Sequence, residues 1–297
     1  MSVKAVTKTV NVSSAGLLKS GLTTDERTTV NNLTVTGMID ARDVKFMRDE
    51  MTVLDTLDLS AAQIVEYTGT AGTRSPYQSG TYVYPSSVMP QFSFYNENYS
   101  GKASLKSVKL PSGLSSIGEY AFCQCSGLTY IEMSQNITQI GQWSFAHCNS
   151  LSSLDLPATV TSIEEFAFYY CNFVSLILPT NLTSVGYAAF AQCSNLASIT
   201  LPANLTSYGS YPFDACYNLR TVINLRTVPA NIDYYTFYNL YMPSIKLLLP
   251  TSTAVSSYME AYCWKDFDIN LGYKVSAIAN NNAYGSVSGI NDSLYAN

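Results

Sequence analysis

The chain has 297 residues, 47% of them apolar and only 12% charged, about half the charged share of a typical globular domain. A net charge of −5 with no dense Lys/Arg cluster excludes an electrostatic footprint for nucleic acid. No run of about 18 apolar residues is present to cross a membrane as a helix.

The opening MSVKAVTKTV lacks the charged-then-apolar layout of a secretory leader. Residues 13–22 and 24–29 read as short helices. DARDVKFMRDEM (40–51) reads as a longer one, with Asp40 as N-cap, Asp43 three residues on, and Val44, Met47 and Met51 on one face. LDTLDLS at 54–60 alternates as a half-buried strand does. MPQFSF at 89–94 ends on Phe94, and the turn-rich stretch between them reads as a projecting loop, 68–87.

From Leu105 the chain repeats. Copies begin at Leu105, Leu128, Leu151, Phe173 and Leu196, with a drifting copy at Leu219; the period is 23 residues, with one copy of 22. In each, L-x-x-[IVL]-x-[LM]-P alternates apolar and polar. Val108 and Leu110 point inward, and proline at 111, 157, 179 and 202 ends the strand because it has no N–H to donate. Short strands are expected at about 107–110, 130–133, 153–156, 175–178, 198–201, 221–224 and 245–249. The returning half carries a Phe column (Phe122, Phe145, Phe168, Phe190, Phe213, Phe237), read as the buried spine. Gly118, Gly141, Gly186 and Gly209 mark places where a side chain would crowd the backbone.

One coil cannot bury its own apolar edge, so the coils must stack, giving a parallel sheet with a rise of ~4.8 Å per coil. The expected fold is an α/β repeat solenoid with the sheet on its concave face and helical caps. Its divisions are 1–52 as N-terminal cap, 53–271 as solenoid with a C-terminal cap at about 242–271, and 272–297 as a tail or the start of a further small β-repeat. A helix is expected at about 254–262, followed by WKDFDI.

The cycle x-IG-x-x-A-F-x-x-C-x-x-L-x-x-[IV]-x-LP resembles the BspA-like, Treponema-type leucine-rich repeats of Bacteroides-group surface proteins. LTVTGMIDARDVKFMRDEMTVLDTLDLS and NLYMPSIKLLLPTSTAVSSYMEAYCWKDFDI are also similar to segments of that group, so the resemblance covers roughly 7–271. It implies a right-handed curved solenoid and an exported, surface-attached protein that binds host or microbial macromolecules. A leader absent from this sequence is expected on that ground.

No cofactor motif, metal-ligand spacing or nucleophile constellation is present, so neither catalysis nor a bound metal or cofactor is expected. Cys125, Cys148, Cys171, Cys193 and Cys216 recur once per coil and read as small buried residues. His147 occupies a freely varying position. Glu132 and Asp155 are expected to face outward on adjacent strands, as a solvated acidic patch. The expected partner is a protein or glycan of a host or neighbouring microbe, with the chain itself a monomer; a spacer presenting a downstream domain is the alternative.

Two outward columns follow from the alternation. One runs Thr56, Ser107, Tyr130, Ser153, Ser175, Ser198, Thr221, Ser244; the other runs Asp58, Lys109, Glu132, Asp155, Ile177, Thr200, Ile223, Lys246. The second turns apolar after Asp155. Ile177 and Ile223, with Tyr130, Glu132, Asp155 and Thr200, and with Tyr234 and Tyr235 at the rim, are the expected contact residues. Two readings of the isoleucines stand at this point, strand strengthening and ligand contact, just as the tyrosines suit either packing or binding.

Overall fold

The computed structural model describes residues 5–74 and 79–271. The expected tail hairpin at 272–297 lies outside them.

Alternating apolar positions give parallel strands, and their pairing runs in chain order. Thr7–Val12, Asn32–Ile39, Thr56–Asp58, Ser107–Lys109 and Tyr130–Glu132 form one sheet, with Ala62–Ile64 added at the far end of Asn32–Ile39. Ser175–Ile177, Ser198–Leu201, Thr221–Asn224, Lys246–Leu249 and Asp268–Leu271 form another. A third sheet lines a second side of the stack with two-residue strands, from Val88–Met89 to Ser207–Tyr208. Strands so short carry no period, which is why the sequence shows only an unassigned return segment there. The result is a repeat solenoid.

Inward residues Val108, Ile131, Leu176, Ile199, Val222 and Leu247 are all buried. Pro111, Pro157, Pro179 and Pro202 each open a tight turn whose carbonyl accepts the N–H three residues on. The Phe spine is stacked from end to end. Phe94, Phe122, Phe145, Phe168, Phe190, Phe213 and Phe237 follow one another with ring centroids 5.2–5.8 Å apart. A Cβ on Gly118 would sit 2.4 Å from Met89 O, and one on Gly141 2.5 Å from Ile117 O. Those glycines let consecutive coils approach.

The expected strand at 153–156 is absent, and the strand side is split there into its two sheets. Leu154 still points inward, but the bond from Val174 N–H to Ser152 O, at 3.2 Å, is what remains of the ladder. Two features set this coil apart. It lacks one residue in the turn after Cys171, and it carries Glu164 where its neighbours have Gly141 and Gly186. A shortened turn changes where the next strand starts, while at Glu164 the return side stays paired, with its N–H 2.9 Å from Ile140 O.

At the N-terminal end, Ala41–Asp49 is helical, with a capping box between Asp40 and Asp43. The buried Asp43 also accepts Gly16 N–H (2.6 Å) and Leu18 N–H (2.9 Å), tying the preceding loop to the helix. Of the expected helix at 13–22, only the 3₁₀ turn Leu18–Gly21 forms; Thr24–Thr29 is helical as expected. Pairing of Asn32–Ile39 with Thr56–Asp58 carries the sheet across residue 52 unbroken. At the base of the expected loop Tyr67–Gly69 pairs antiparallel with Tyr82–Tyr84, and Arg42 lies 4.6 Å from the Tyr67 ring. The C-terminal helix spans Ser252–Glu260, two residues earlier than expected. Tyr258 and Trp264 close the core there.

Candidate functional site

In the second strand sheet, Ile177 pairs with Thr200, Thr200 with Ile223, and Ile223 with Leu248. The sequence reading had set Lys246 opposite Ile223. Lys246 instead pairs with Thr221, because two extra residues in that coil move the register by two and keep every side chain on its original face. The outward stripe is therefore Ile177, Thr200, Ile223, Leu248. It is apolar for longer than the sequence suggested.

Ile177 is 53% exposed, Ile223 and Leu248 are partly exposed, and Thr200, between two β-branched neighbours, keeps 9%. Ser175, Ser198 and Thr221 form the adjacent column, so small hydroxyls flank the apolar stripe. A partner can approach the sheet closely along Ser175, Ser198 and Thr221, and beside Leu248 the column ends on the exposed Lys246.

The first sheet presents a different surface. Lys109 Nζ lies 3.7 Å from Glu132 Oε2, and the Tyr130 hydroxyl lies 3.3 Å from the same oxygen. All three are exposed, so the pairing adds little stability. Asp155 falls in the gap between sheets and no strand pairing sets it opposite Glu132. The expected contact residues Tyr130, Glu132, Asp155, Ile177, Thr200 and Ile223 thus fall on two surfaces, one charged and one apolar.

Tyr234 and Tyr235 do not rim the strand face. Tyr235 packs on Tyr211 (4.9 Å) and Tyr211 on Tyr187 (5.7 Å), as part of an outer aromatic row beside the Phe spine. That row begins Phe92, Tyr120, Trp143, Phe166, each two residues before a spine Phe. The sequence held the signal, aromatic residues at one fixed offset from the spine Phe. His147 is packing too: it stacks on Tyr170 at 5.3 Å, and burial lowers its pKa.

Each column cysteine points its thiol at the preceding coil's spine carbonyl. Among the described residues no three of His, Cys, Asp and Glu gather to hold a metal, and no helix is long and apolar enough to cross a membrane. Glu164 accepts Gln139 Nε2 at 2.9 Å and Glu165 accepts Gln142 Nε2 at 3.4 Å, so these carboxylates link coils.

The pattern of the BspA type leucine-rich repeat region matches residues 92–172 and 161–290, in six copies. The chain belongs to that family. A T. pallidum leucine-rich repeat protein of known structure is 30% identical over 43% of this chain and 69% of its own, with a TM-score of 0.39. The pneumococcal vaccine antigen PcpA shares the fold at TM-score 0.50 and 17% identity, covering 81% of this chain and 57% of that one. A Bacteroides ovatus leucine-rich repeat protein is 18% identical over 58% of this chain and 61% of its own, with a TM-score of 0.34. This BspA-type chain thus spans less than two thirds of the latter two. No curated protein matches it in sequence.

Proposed function

We propose that this BspA-type solenoid is a non-catalytic, extracellular binding module of a bacterial surface, which holds a protein partner on the stripe Ile177, Thr200, Ile223, Leu248. The observation that carries the reading is Ile177: a large aliphatic side chain 53% exposed on the first strand of an ordered parallel sheet, in line with two more. Covering three such side chains supplies several kcal/mol, at ~1.5–3 kcal/mol for each one fully buried, before the costs of association. The flanking hydroxyls supply hydrogen bonds at the margin. Leucine-rich-repeat modules generally bind proteins, and the vaccine-antigen name of the pneumococcal structural relative fits an exported chain. The chain acts as a monomer, and its charge of −5 gives nucleic acid no purchase.

The native cysteines are buried, so an introduced thiol can be labelled alone. Ser198→Cys, coupled to a polyethylene glycol maleimide, would cover the strand face. On an array of purified extracellular matrix and serum proteins, unlabelled Ser198→Cys should retain the partner that wild type retains, and the coupled form should lose it. Equal retention by the coupled form would rule the strand face out.

A further inference from the structure

The outer aromatic row changes character part-way along the stack. From Phe92 to Phe166 the rings lie face to face, with interplanar angles of 8°, 7° and 16°, so each ring covers its neighbour. The next coil carries Ala188 in the slot two residues before the spine Phe, and the neighbouring Tyr187 reaches into the row instead. From there the angles open to 64°, 69° and 42°, and Tyr234 meets Tyr235 at 73°. In the second half the rings no longer cover one another face to face, and Tyr238 packs against Tyr211, Tyr234 and Tyr235 at 88°, 79° and 49°. Tyr187 is 41% exposed, Tyr235 43% and Tyr234 57%.

We propose that Tyr187, Tyr211, Tyr234 and Tyr235 form a stacking platform for a linear neutral glycan, on a side of the solenoid separate from the strand face. A tyrosine ring offers an apolar face and a wet hydroxyl edge. A pyranose offers the matching pair, a face of C–H groups and a rim of hydroxyls. The platform repeats once per coil, so the ligand that fits it is itself a repeating chain. The polar groups at its border are Asp214 and Asn239, joined at 2.9 Å, which can accept from and donate to neighbouring hydroxyls. Asp233 turns its carboxylate inward to Tyr235 N–H and Thr236 Oγ1. A carboxylate-edged row with no cationic side chain in it repels anionic polymers and leaves a neutral one unopposed.

An extended peptide is disfavoured by the backbone. The N–H groups of Ala188, Phe190, Gln192 and Phe213 already donate to the carbonyls of Ser210, Pro212, Asp214 and Thr236 in the next coil. A peptide strand would find no unpaired ladder to extend, so recognition falls to rings and side-chain amides. Those groups suit a sugar.

The test is native gel electrophoresis of the full chain in gels containing soluble mixed-linkage β-glucan, glucomannan, arabinoxylan or pullulan. At least one polysaccharide should retard the wild type. Tyr187→Ala with Tyr235→Ala should weaken that binding about tenfold, the loss expected from two aromatic stacking contacts. Tyr187→Phe with Tyr235→Phe, which keeps the rings, should stay near wild type. Ile177→Asp with Ile223→Asp should leave the retardation intact, which separates this platform from the protein-binding face. Should the alanine pair fail to fold, Tyr234→Ala, at the most exposed of the four rings, takes its place with the same expected direction. No retardation by any of the four polysaccharides overturns the proposal. So does undiminished binding by a folded alanine variant, or loss of binding in the strand-face variant.

Discussion

The thiol of Cys148 lies 3.2 Å from the carbonyl oxygen of Phe122, one coil back. The same contact recurs from Cys171 to Phe145, Cys193 to Phe168 and Cys216 to Phe190, at 3.1–3.3 Å, and more loosely from Cys125 to Phe94. Each Sγ–H is a second donor to a carbonyl that already accepts one backbone N–H, as Phe122 O accepts from Cys125 N–H, so the column is a set of small donors sealed in the core.

Burial holds Cys125 and Cys193 at about 12 and pushes Cys148, Cys171 and Cys216 up as well. In native protein near pH 8 these thiols should resist a disulfide reagent, and all seven should react once the chain is denatured. Unfolded thiols ionise near ~8.5. Above that pH the folded chain keeps protons that the unfolded chain has lost, so stability falls as pH rises, by up to ~1.4 kcal/mol per pH unit for each thiol. The thermal midpoint should therefore drop between about pH 8.5 and 10, and drop less in Cys148→Ala with Cys171→Ala. Rapid native labelling, or a midpoint flat to pH 10, contradicts this.

Lys102 titrates with the opposite sign. Its Nζ donates to Met51 O at 2.7 Å and Arg48 O at 3.2 Å, closing the end of the helix Ala41–Asp49. Desolvation pulls its pKa down to about 8, below the ~10.4 of an unfolded lysine. Between those values the unfolded chain holds more protons, so this residue's contribution to stability grows as pH rises. Lys102→Met should cost ~1–3 kcal/mol at pH 7, and the deficit should widen toward pH 10 in paired denaturation curves. A deficit that narrows would show the lysine to be stabilised in its charged form.

Most of the strand side was legible because an alternating segment and a terminal proline recur at a fixed interval. What escaped was set elsewhere in the chain. LSSLDLP resembles its neighbours, yet no strand forms at 153–156, in the one regular coil whose turn after Cys171 is a residue short and whose Glu164 stands where the neighbours have Gly. The strands Thr7–Val12 and Asn32–Ile39 escaped because the spacing of the early coils departs from the 23-residue period. Leu248 joined the apolar stripe only once pairing was known, since a shift of two residues leaves the alternation unchanged.

That account of the gap is testable by hydrogen exchange. Amides at 153–156 should exchange much faster than those of Ser198–Leu201, whose N–H groups lie in a paired ladder. Glu164→Gly combined with one serine inserted after Asn172 should slow them and raise the thermal midpoint. Unchanged exchange would place the cause of the gap elsewhere.

Left-handed backbone recurs in the turns, at Trp143 (φ 56°) and Gln192 (φ 62°) among others. A side chain there costs ~1–2 kcal/mol, which glycine avoids at some expense in chain entropy. Gln192→Gly should thus be neutral to stabilising by ~1 kcal/mol. Trp143→Gly, at the same conformation, should destabilise by ~3 kcal/mol or more, since it removes a ring 4.1 Å from Phe166. Equal effects at the two sites would show that stacking does not offset the strain.

The central claim is that the apolar stripe faces a partner and not the core. Its direct measurement is the affinity of Ile177→Asp with Ile223→Asp for the protein that wild type binds, read beside the thermal midpoint. The expected result is binding weaker by about a hundredfold, the effect of losing two apolar contacts of ~1.4 kcal/mol each, with a midpoint within a few degrees of wild type. Wild-type affinity in the folded double variant would contradict the claim and move the contact to another surface, the 68–87 loop first.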